Sequence, residues 1–66
     1  MENTLKNLRK TAGWSQQDLA EQLGISRQSI ISIERGRFDP SLHLAIRIAR
    51  LFDKPVQDIF FPSDDA

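Results

Sequence analysis

The 66-residue sequence predicts an all-α domain built from five short helices. Apolar residues recur at spacings of three and four along most of the chain, which is the period of a helix with one buried face. An alternating strand pattern does not occur before the last few residues. Gly13, Gly24 and Gly36 each follow one of these apolar segments, where a glycine commonly ends a helix. A chain of this length forms one domain and buries only about 60% of its unfolded surface.

The first helix is predicted over residues 4–12, and Gly13 ends it. Its apolar face consists of Leu5, Leu8 and Ala12. Ser15 is the expected N-cap of the second helix, with Asp18 three residues later in a variant of the capping box. The buried stripe of the second helix consists of Leu19, Ala20 and Leu23.

The third helix is predicted from its N-cap, Ser26, to the residue before Gly36. About two residues separate it from the second helix, so the two helices must cross at a steep angle. At about 100° per residue, Ile30 and Ile33 point inward. The outward side carries Gln28, Ser29, Ile31, Ser32 and Arg35. A helix that projects in this way, with an exposed first turn, has the shape needed to enter the major groove of DNA.

A turn is predicted over residues 38–41, in which either Asp39 or Ser41 caps the fourth helix. The apolar stripe of that helix is Leu44, Ala45, Ile48, Ala49 and Phe52. Pro55 fits the first turn of a short fifth helix. The side chains expected to pack inward from it are Val56, Ile59 and Phe60. Residues 63–66 are predicted to be disordered.

The composition excludes several kinds of site. The sequence has no Cys and one His, so it forms no disulfide and has too few ligands for a metal site. No apolar run approaches the roughly 20 residues of a membrane span, and no signal-peptide pattern opens the chain. We therefore expect a cytoplasmic protein with no cofactor, no metal and no membrane contact. An enzyme is the least favoured class, because no catalytic constellation of side chains is evident.

The formal net charge is zero, with nine basic and nine acidic residues. That balance argues weakly against a nucleic-acid partner, for which a basic excess is usual. The charges are unevenly distributed, however. Residues 1–52 carry eight basic and five acidic side chains, whereas residues 53–66 carry one basic and four acidic side chains. A basic body therefore precedes an acidic end, and the local field matters more than the sum.

Several motifs occur in an order that resembles the Cro/C1-type helix-turn-helix family of repressors (lambda-repressor-like, Xre family). They are Ser15-Gln-x-x-Leu-Ala, the Gly24 turn, Ile25-Ser-Arg-Gln-Ser-Ile, Ile33-Glu-Arg-Gly, Pro40-Ser-Leu and Ile48-Ala-x-x-Phe. The resemblance covers roughly residues 4–60 and is closest to short, single-domain, dimeric bacterial repressors. The chain departs from the family at Asp53-Lys54, where a Gly followed by an apolar residue is usual.

The resemblance implies that Gln16 contacts a phosphate and that Gln28 reads a base. The amide of Gln suits adenine because it both donates and accepts hydrogen bonds. Arg27 would bind guanine or a phosphate, and a cation in the first turn of a helix favours an anionic partner because it opposes the dipole. The residues predicted to read bases are Arg27, Gln28, Ile31 and Ser32. Those predicted to contact the DNA backbone are Lys10, Gln16, Gln17, Ser29, Arg35 and Arg37.

Structural alternatives exist for these residues. The glutamines and Arg27 would then be solvated surface side chains. Ile31 either contacts a thymine methyl group or packs against the loop near Phe38. Free backbone N–H groups near Arg35 and Arg37, together with both guanidinium groups, suit a phosphate, but an ordinary basic helix end has the same sequence. The aromatic residues predicted to serve the core are Trp14, Phe38 and Phe52.

Two further features concern the structure of the domain and its assembly. Glu34 lies only about 40° from the direction of Ile30 on the third helix, and a half-buried carboxylate needs a partner. The resemblance implies an ion pair with Arg9. Residues 59–62 are too apolar for a solvated tail.

The similar short repressors dimerise through their C-terminal end. The resemblance therefore implies a dimer interface at Ile59, Phe60, Phe61 and Pro62, with residues 1–3 pairing there as a short strand. In the alternative, both aromatics fold back onto the first and fifth helices.

The sequence thus predicts one domain over residues 1–66, with the helix-turn-helix at about 15–35 and dimerisation through 53–62. Its predicted function is that of a sequence-specific regulator of transcription that binds double-stranded DNA. The specific prediction is a homodimeric repressor on a pseudo-palindromic operator. The alternative is an antitoxin, or an adaptor that uses the same fold to bind a protein partner, whose identity is unknown.

Overall fold

The computed structural model describes residues 1–62. Within them the chain forms five α-helices and a two-stranded antiparallel sheet. The elements are β1 (Glu2–Asn3), α1 (Leu5–Thr11), α2 (Gln16–Leu23), α3 (Arg27–Glu34), α4 (Leu42–Phe52), α5 (Val56–Ile59) and β2 (Phe60–Phe61). The predicted five-helix domain and its short terminal strands are confirmed. The disorder predicted for residues 63–66 lies outside the described residues.

Serine side chains cap three of the helices. At α2 the capping box is complete: Ser15 Oγ accepts from the Asp18 N–H at 3.0 Å, and Asp18 Oδ2 accepts from the Ser15 N–H at 2.9 Å. Ser26 Oγ accepts from the Ser29 N–H at the start of α3, at 3.1 Å. At α4 the cap is Ser41 and not Asp39, because Ser41 Oγ accepts from the N–H of the third helical residue. These bonds satisfy N–H groups that a helix cannot pair internally.

The core is formed by apolar side chains from all five helices and β2. The buried side chains are Leu5, Leu19, Ala20, Leu23, Ile30, Ile33, Ala45, Ile48, Ala49, Ile59 and Phe60. Trp14 and Phe52 pack against this core, with ring centroids 5.7 Å apart. Phe38 does not belong to it. Its side chain is 50% exposed, so the prediction that Phe38 is a core residue is wrong.

The sheet joins the two ends of the described chain, with Glu2 opposite Phe61 and Asn3 opposite Phe60. Asn3 also donates from Nδ2 to the Ile33 carbonyl at 2.8 Å, which ties β1 to the last turn of α3. Because β2 lies in this sheet, Ile59 and Phe60 are buried inside their own subunit. Of the four residues predicted for the dimer interface, these two are thus covered within the subunit, while Phe61 and Pro62 are exposed.

Asp53, at the end of α4, occupies a position where the family that the sequence resembles usually has a Gly. This residue adopts the left-handed conformation, with φ 54° and ψ 48°, where a glycine would be expected. Among residues 1–62, Asp53 is the only residue other than glycine with positive φ. Asp tolerates this conformation better than most residues because its short side chain hydrogen-bonds locally. The turn into α5 therefore keeps its glycine-like geometry without a glycine.

Of the helices in residues 1–62, none combines the length and apolarity that a bilayer span requires.

Candidate nucleic-acid interface

The helices α2 and α3 are joined by residues 24–26, which fix their relative direction. Gly24 is left-handed with φ 68°, and its N–H bonds back into the last turn of α2. The next residue, Ile25, donates its N–H to the Ala20 carbonyl at 3.1 Å, which completes a Schellman-type end. Ser26 then begins α3 immediately. With every residue of the connection hydrogen-bonded, α3 leaves α2 in a defined direction.

A buried polar network connects α3 to the rest of the domain. Arg9 donates from Nε to Glu34 Oε2 at 2.7 Å and from Nη2 to Glu34 Oε1 at 3.2 Å. Its Nη1 donates to the Trp14 carbonyl at 2.9 Å. The Arg9 and Glu34 side chains are only 8% and 4% exposed. This two-pronged ion pair holds the C-terminal end of α3 against α1 and the loop before α2.

Gln16 is part of the same network, since its Nε2 donates to Glu34 Oε1 at 3.3 Å. The resemblance assigned Gln16 to a phosphate. In the structure its amide nitrogen contacts a carboxylate, which links the first turn of α2 to the last turn of α3. The half-buried Gln16 side chain keeps a second N–H available. Gln17 and Lys10, the neighbouring residues predicted to contact the DNA backbone, are exposed.

The residues of α3 divide into two faces. Ile30 and Ile33 are fully buried, as their spacing predicted. Arg27 and Gln28 are exposed in the first turn, whereas Ile31 and Ser32 are half-buried. The four residues predicted to read bases therefore lie on the part of α3 that the core does not cover, with the longest polar side chains at its N-terminal end.

Ser29 takes part in the hydrogen bonds that begin α3, which the sequence did not indicate. Its N–H donates to Ser26 Oγ, and the two hydroxyl oxygens lie 2.9 Å apart. Ser29 is half-buried. Its hydroxyl thus already has a partner within the subunit, although a hydroxyl oxygen can accept a further hydrogen bond.

The end of α3 differs from the expected phosphate site. The N–H groups of Arg35, Gly36 and Arg37 donate to carbonyls of α3 at distances between 2.9 and 3.1 Å. The expectation of free backbone donors here is therefore wrong. The chain continues to turn back onto α3 through Gly36, whose φ is 74°. The guanidinium groups of Arg35 and Arg37 remain exposed, and within residues 1–62 neither forms a salt bridge.

Sequence reasoning missed the position of Phe38. This half-exposed ring lines a groove beside α3 together with Ser26, Gln28, Ser29 and Ser32. A signal was present in the sequence, because Phe38 stands between Arg37 and Asp39 and has no apolar residue at helical spacing in the turn. An isolated aromatic residue in a polar turn is a poor candidate for a core position.

These features form a familiar arrangement: two capped helices, a left-handed glycine between them, and a braced second helix with an exposed polar turn. Residues 5–59 match the family described as Helix-turn-helix. The chain belongs to the helix-turn-helix family.

The comparisons with individual proteins agree with the family. The chain is 51% identical over 65 residues to an "uncharacterized HTH-type transcriptional regulator" of Methanocaldococcus jannaschii, with 98% of each chain covered. It is 38% identical over 65 residues to the HTH-type transcriptional regulator YgzD of Bacillus subtilis, again with 98% of each covered. Among solved structures, it matches the restriction-modification controller protein C.AhdI of Aeromonas hydrophila. The TM-score is 0.74 at 32% identity, with 85% of each chain covered.

The helix-turn-helix protein described here is therefore a transcriptional regulator with a DNA-binding fold, as the Cro/C1-type motifs predicted, and not an enzyme. Its relatives come from archaea as well as from bacteria, so the resemblance to bacterial repressors is not specific to bacteria.

Proposed function

We propose that this regulator is a homodimeric repressor that binds a pseudo-palindromic operator by placing α3 of each subunit in the major groove. The observation that carries this proposal is the division of α3 into a buried face and an uncovered face. Ile30 and Ile33 fix the helix to the core, while Arg27 and Gln28 are exposed in its first turn. The N-terminal residues of a recognition helix are those that meet base edges in this family of motifs.

Sequence preference is assigned to the exposed first turn and the adjacent half-buried positions. Arg27 binds guanine O6 and N7 with its two-pronged guanidinium group, and Gln28 pairs with adenine N7 and N6. Ile31 and Ser32 lie one turn further along α3. Their side chains are short and half-buried, so the bases that they contact lie closer to the helix. Each good two-pronged contact discriminates against the wrong base by about 1–3 kcal/mol.

Phosphate contacts fix the register of the protein on the duplex. Arg35 and Arg37 bind through their exposed guanidinium groups, and Lys10, Gln17 and the second N–H of Gln16 add further donors. Ser29 contributes only as an acceptor or through a shared hydroxyl proton, since Ser26 already engages it. The Glu34 carboxylate, which would repel the backbone, is neutralised by Arg9 and 96% covered.

The test is a binding titration by fluorescence anisotropy, with duplexes enriched from a random DNA pool by the wild-type protein. The Arg27→Ala, Gln28→Ala double variant should lose most of its preference for the enriched duplex over a scrambled duplex. It should retain weak binding to both, because phosphate contacts supply non-specific affinity. Glu21→Ala, at an exposed α2 position, is the matched control. Equal preference in the double variant and the wild type would refute the assignment of the base-reading residues.

Dimerisation is assigned to the part of the predicted interface that remains accessible. Phe61 on β2 is 36% exposed, the following Pro62 is exposed, and within residues 1–62 β2 has a partner strand on only one side. An unpaired strand edge with an exposed aromatic residue suits a second copy related by a two-fold axis. Two α3 helices spaced by about 34 Å would then meet successive major grooves on one side of the DNA.

Analytical ultracentrifugation tests this interface. Phe61→Ser should shift the protein from dimer to monomer at micromolar concentration. Ile46→Ser is the comparison, because Ile46 lies in a different apolar groove, between α4 and α5. If Ile46→Ser gave a monomer and Phe61→Ser did not, the dimer interface would lie at that groove instead. A wild-type protein that sediments as a monomer, both free and on DNA, would refute the dimer.

Repression is the simplest regulatory outcome of this binding mode, because a bound dimer occludes a promoter by occupancy alone. A reporter gene placed behind the enriched duplex should fall in expression when the protein is supplied, and the double variant should restore it. The antitoxin or adaptor alternative receives no support from the relatives, whose names describe regulators of transcription.

A further inference from the structure

A groove beside α3 brings Phe38, which has no role in the contacts assigned above, next to residues of α3 that do have one. It is lined by Ser26, Gln28, Ser29, Ser32 and Phe38, and its volume is about 180 Å³. This is smaller than the roughly 300–1,000 Å³ typical of sites for small-molecule ligands. The groove is therefore suited to a single group that projects from a larger molecule, rather than to a free metabolite.

The walls of this groove present little unsatisfied polar surface. The hydroxyl groups of Ser26 and Ser29 lie 2.9 Å apart and are engaged with each other, and Ser26 Oγ also accepts the Ser29 N–H. Phe38 contributes an apolar ring that is 50% exposed. The amide of Gln28 and the hydroxyl of Ser32, both among the proposed base-reading groups, complete the lining. The Phe38 ring and the engaged Ser26 and Ser29 hydroxyls thus favour an apolar occupant beside the polar Gln28 and Ser32.

The surroundings of the groove favour a partner that carries negative charge. Among residues 1–62, no carboxylate lines the groove, while the exposed residues Arg27 and Arg37 directly precede Gln28 and Phe38 in the sequence. The nearest acidic side chain in sequence, Asp39, is paired with the Met1 amino group at 3.3 Å. DNA combines the two properties, because the C5-methyl group of thymine is an apolar group on the major-groove edge of an anionic polymer.

We propose that Phe38 is a specificity-determining residue that, with Ser29 and Ser32, receives the C5-methyl group of one thymine in each half-site. This inference rests on the proposed binding of DNA through α3, and it adds a residue outside the helix-turn-helix to the reading of sequence. The thymine lies next to the base that Gln28 contacts, because Gln28 lines the same groove. Aromatic and aliphatic side chains are the usual partners of this methyl group.

Replacement of thymine by uracil tests the proposal, since it removes only the methyl group. Starting from a duplex enriched by the wild-type protein, a series of duplexes is made in which uracil replaces one thymine at a time. The affinity of the protein for each duplex is measured by fluorescence anisotropy. The wild-type protein should lose about fourfold in affinity at one position per half-site, as expected for one buried methyl group. Phe38→Ala should bind the thymine and uracil duplexes equally at that position, and the effects of uracil elsewhere should be unchanged.

Two variants control for indirect effects. Phe38→Leu keeps an apolar side chain and should retain part of the discrimination, which a merely destabilised protein would not. Ile46→Ala removes a similarly exposed apolar side chain from a groove on other helices, and should keep the full uracil effect. Thermal melts of all variants establish that Phe38→Ala remains folded at the assay temperature. Phe38 is half-exposed and outside the core, so we expect a melt close to that of the wild type.

The outcomes separate this proposal from the proposed function. If the wild-type protein enriches no sequence at all, specific DNA binding fails and the methyl pocket fails with it. If it enriches a sequence but no thymine position responds to uracil, only the pocket is refuted. Persistence of the full uracil effect in Phe38→Ala would also refute the pocket and would leave the rest of α3 reading DNA as described.

Discussion

The carboxylate of Glu34 is held by three donors from two helices: Nε and Nη2 of Arg9 on α1, and Nε2 of Gln16 on α2. Such a buried pair adds little net stability compared with an apolar replacement, because both charges lose their hydration. Its contribution is positional. The network fixes where the last turn of α3 lies relative to the first turn of α2, and therefore how α3 is presented.

Removal of one member of this pair should be severe. Glu34→Ala leaves the Arg9 guanidinium buried without its counter-charge, which typically costs about 3–5 kcal/mol. A domain of this size has a total stability of about the same magnitude, so the variant should be largely unfolded at room temperature. Urea denaturation followed by circular dichroism measures the change. Glu21→Ala, which removes an exposed carboxylate, should stay within about 0.5 kcal/mol of the wild type. A Glu34→Ala melt within a degree or two of the wild type would contradict the role of the pair.

Single residues also mark the limit of what the sequence could predict. The positions of Ile30, Ile33 and Glu34 on α3 followed from helical periodicity, because a short helix leaves little freedom in which face is buried. The occupied N–H groups of residues 35–37 follow from a left-handed glycine end at Gly36, which the sequence indicated, so the expectation of free donors there overlooked a known property of such ends. The exposure of Phe38 was indicated by its isolation in a polar turn, but its position beside α3 depends on the path of the chain after Gly36. Periodicity gives no information outside a regular element.

At the scale of elements, α1, α2 and α3 end just before the glycines that predicted their ends. The end of α4 shows why a helix can end with the same geometry without a glycine. Asp53 holds the left-handed conformation, and its N–H and that of Lys54 bond back to the carbonyls of Arg50 and Ala49. The hydrogen-bond geometry thus depends on the backbone conformation and not on the residue type. The residue type only determines how costly that conformation is.

Replacement of Asp53 should reveal this cost. Asp53→Gly should stabilise the domain by about 0.5–1 kcal/mol, because relief of the left-handed strain exceeds the greater entropy of glycine in the unfolded chain. A gain of that size raises the Tm of a small domain by about 2–8 °C. Asp53→Ala is the matched variant and should lower the Tm, since alanine has neither the freedom of glycine nor a side chain that bonds locally. Equal melting temperatures for the two variants would contradict this account, and differential scanning calorimetry provides the measurement.

The last elements were harder to predict than the first ones. An apolar segment at residues 59–62 indicated a buried face, and the sequence left open whether a second subunit or the same subunit covers it. The structure buries Ile59 and Phe60 internally, because β2 pairs with β1 and the Thr4 N–H bonds to the Ile59 carbonyl at 3.0 Å. Pairing between segments almost sixty residues apart leaves no local signal in the sequence. Only Phe61 and Pro62 keep the exposure that the predicted interface needs.

At the scale of the whole molecule, the neutral net charge conceals an uneven surface. The basic excess lies in residues 1–52, and it is unchanged by the buried Arg9–Glu34 pair, which removes one charge of each sign. The region that includes α3 is thus more positive than the total implies. Few cations are available for phosphates, however, so the dependence of DNA affinity on salt should be moderate.

The salt dependence can be tested with a single arginine. Removal of one phosphate contact by Arg37→Ala should weaken binding to all duplexes alike and reduce the slope of log K against log [salt] by about 1. Arg47→Ala, at an exposed position on α4, is the control with the same loss of charge and should leave the slope nearly unchanged. Anisotropy titrations at several salt concentrations give both slopes. An identical slope in the wild type and Arg37→Ala would remove Arg37 from the proposed contacts.

The pairing of β1 with β2 has a consequence for how the protein is made. Residues 2–3 are synthesised before the helices of this domain, yet the strand that completes their hydrogen bonds is synthesised only at residues 60–61. At about 5–20 residues per second, the N-terminal segment waits roughly 3–12 s for its partner. Ile59 and Phe60, which close the core, arrive at the same moment. The nascent chain must therefore keep its apolar side chains in solution for seconds, and cooperative folding begins only when translation of the domain is nearly complete.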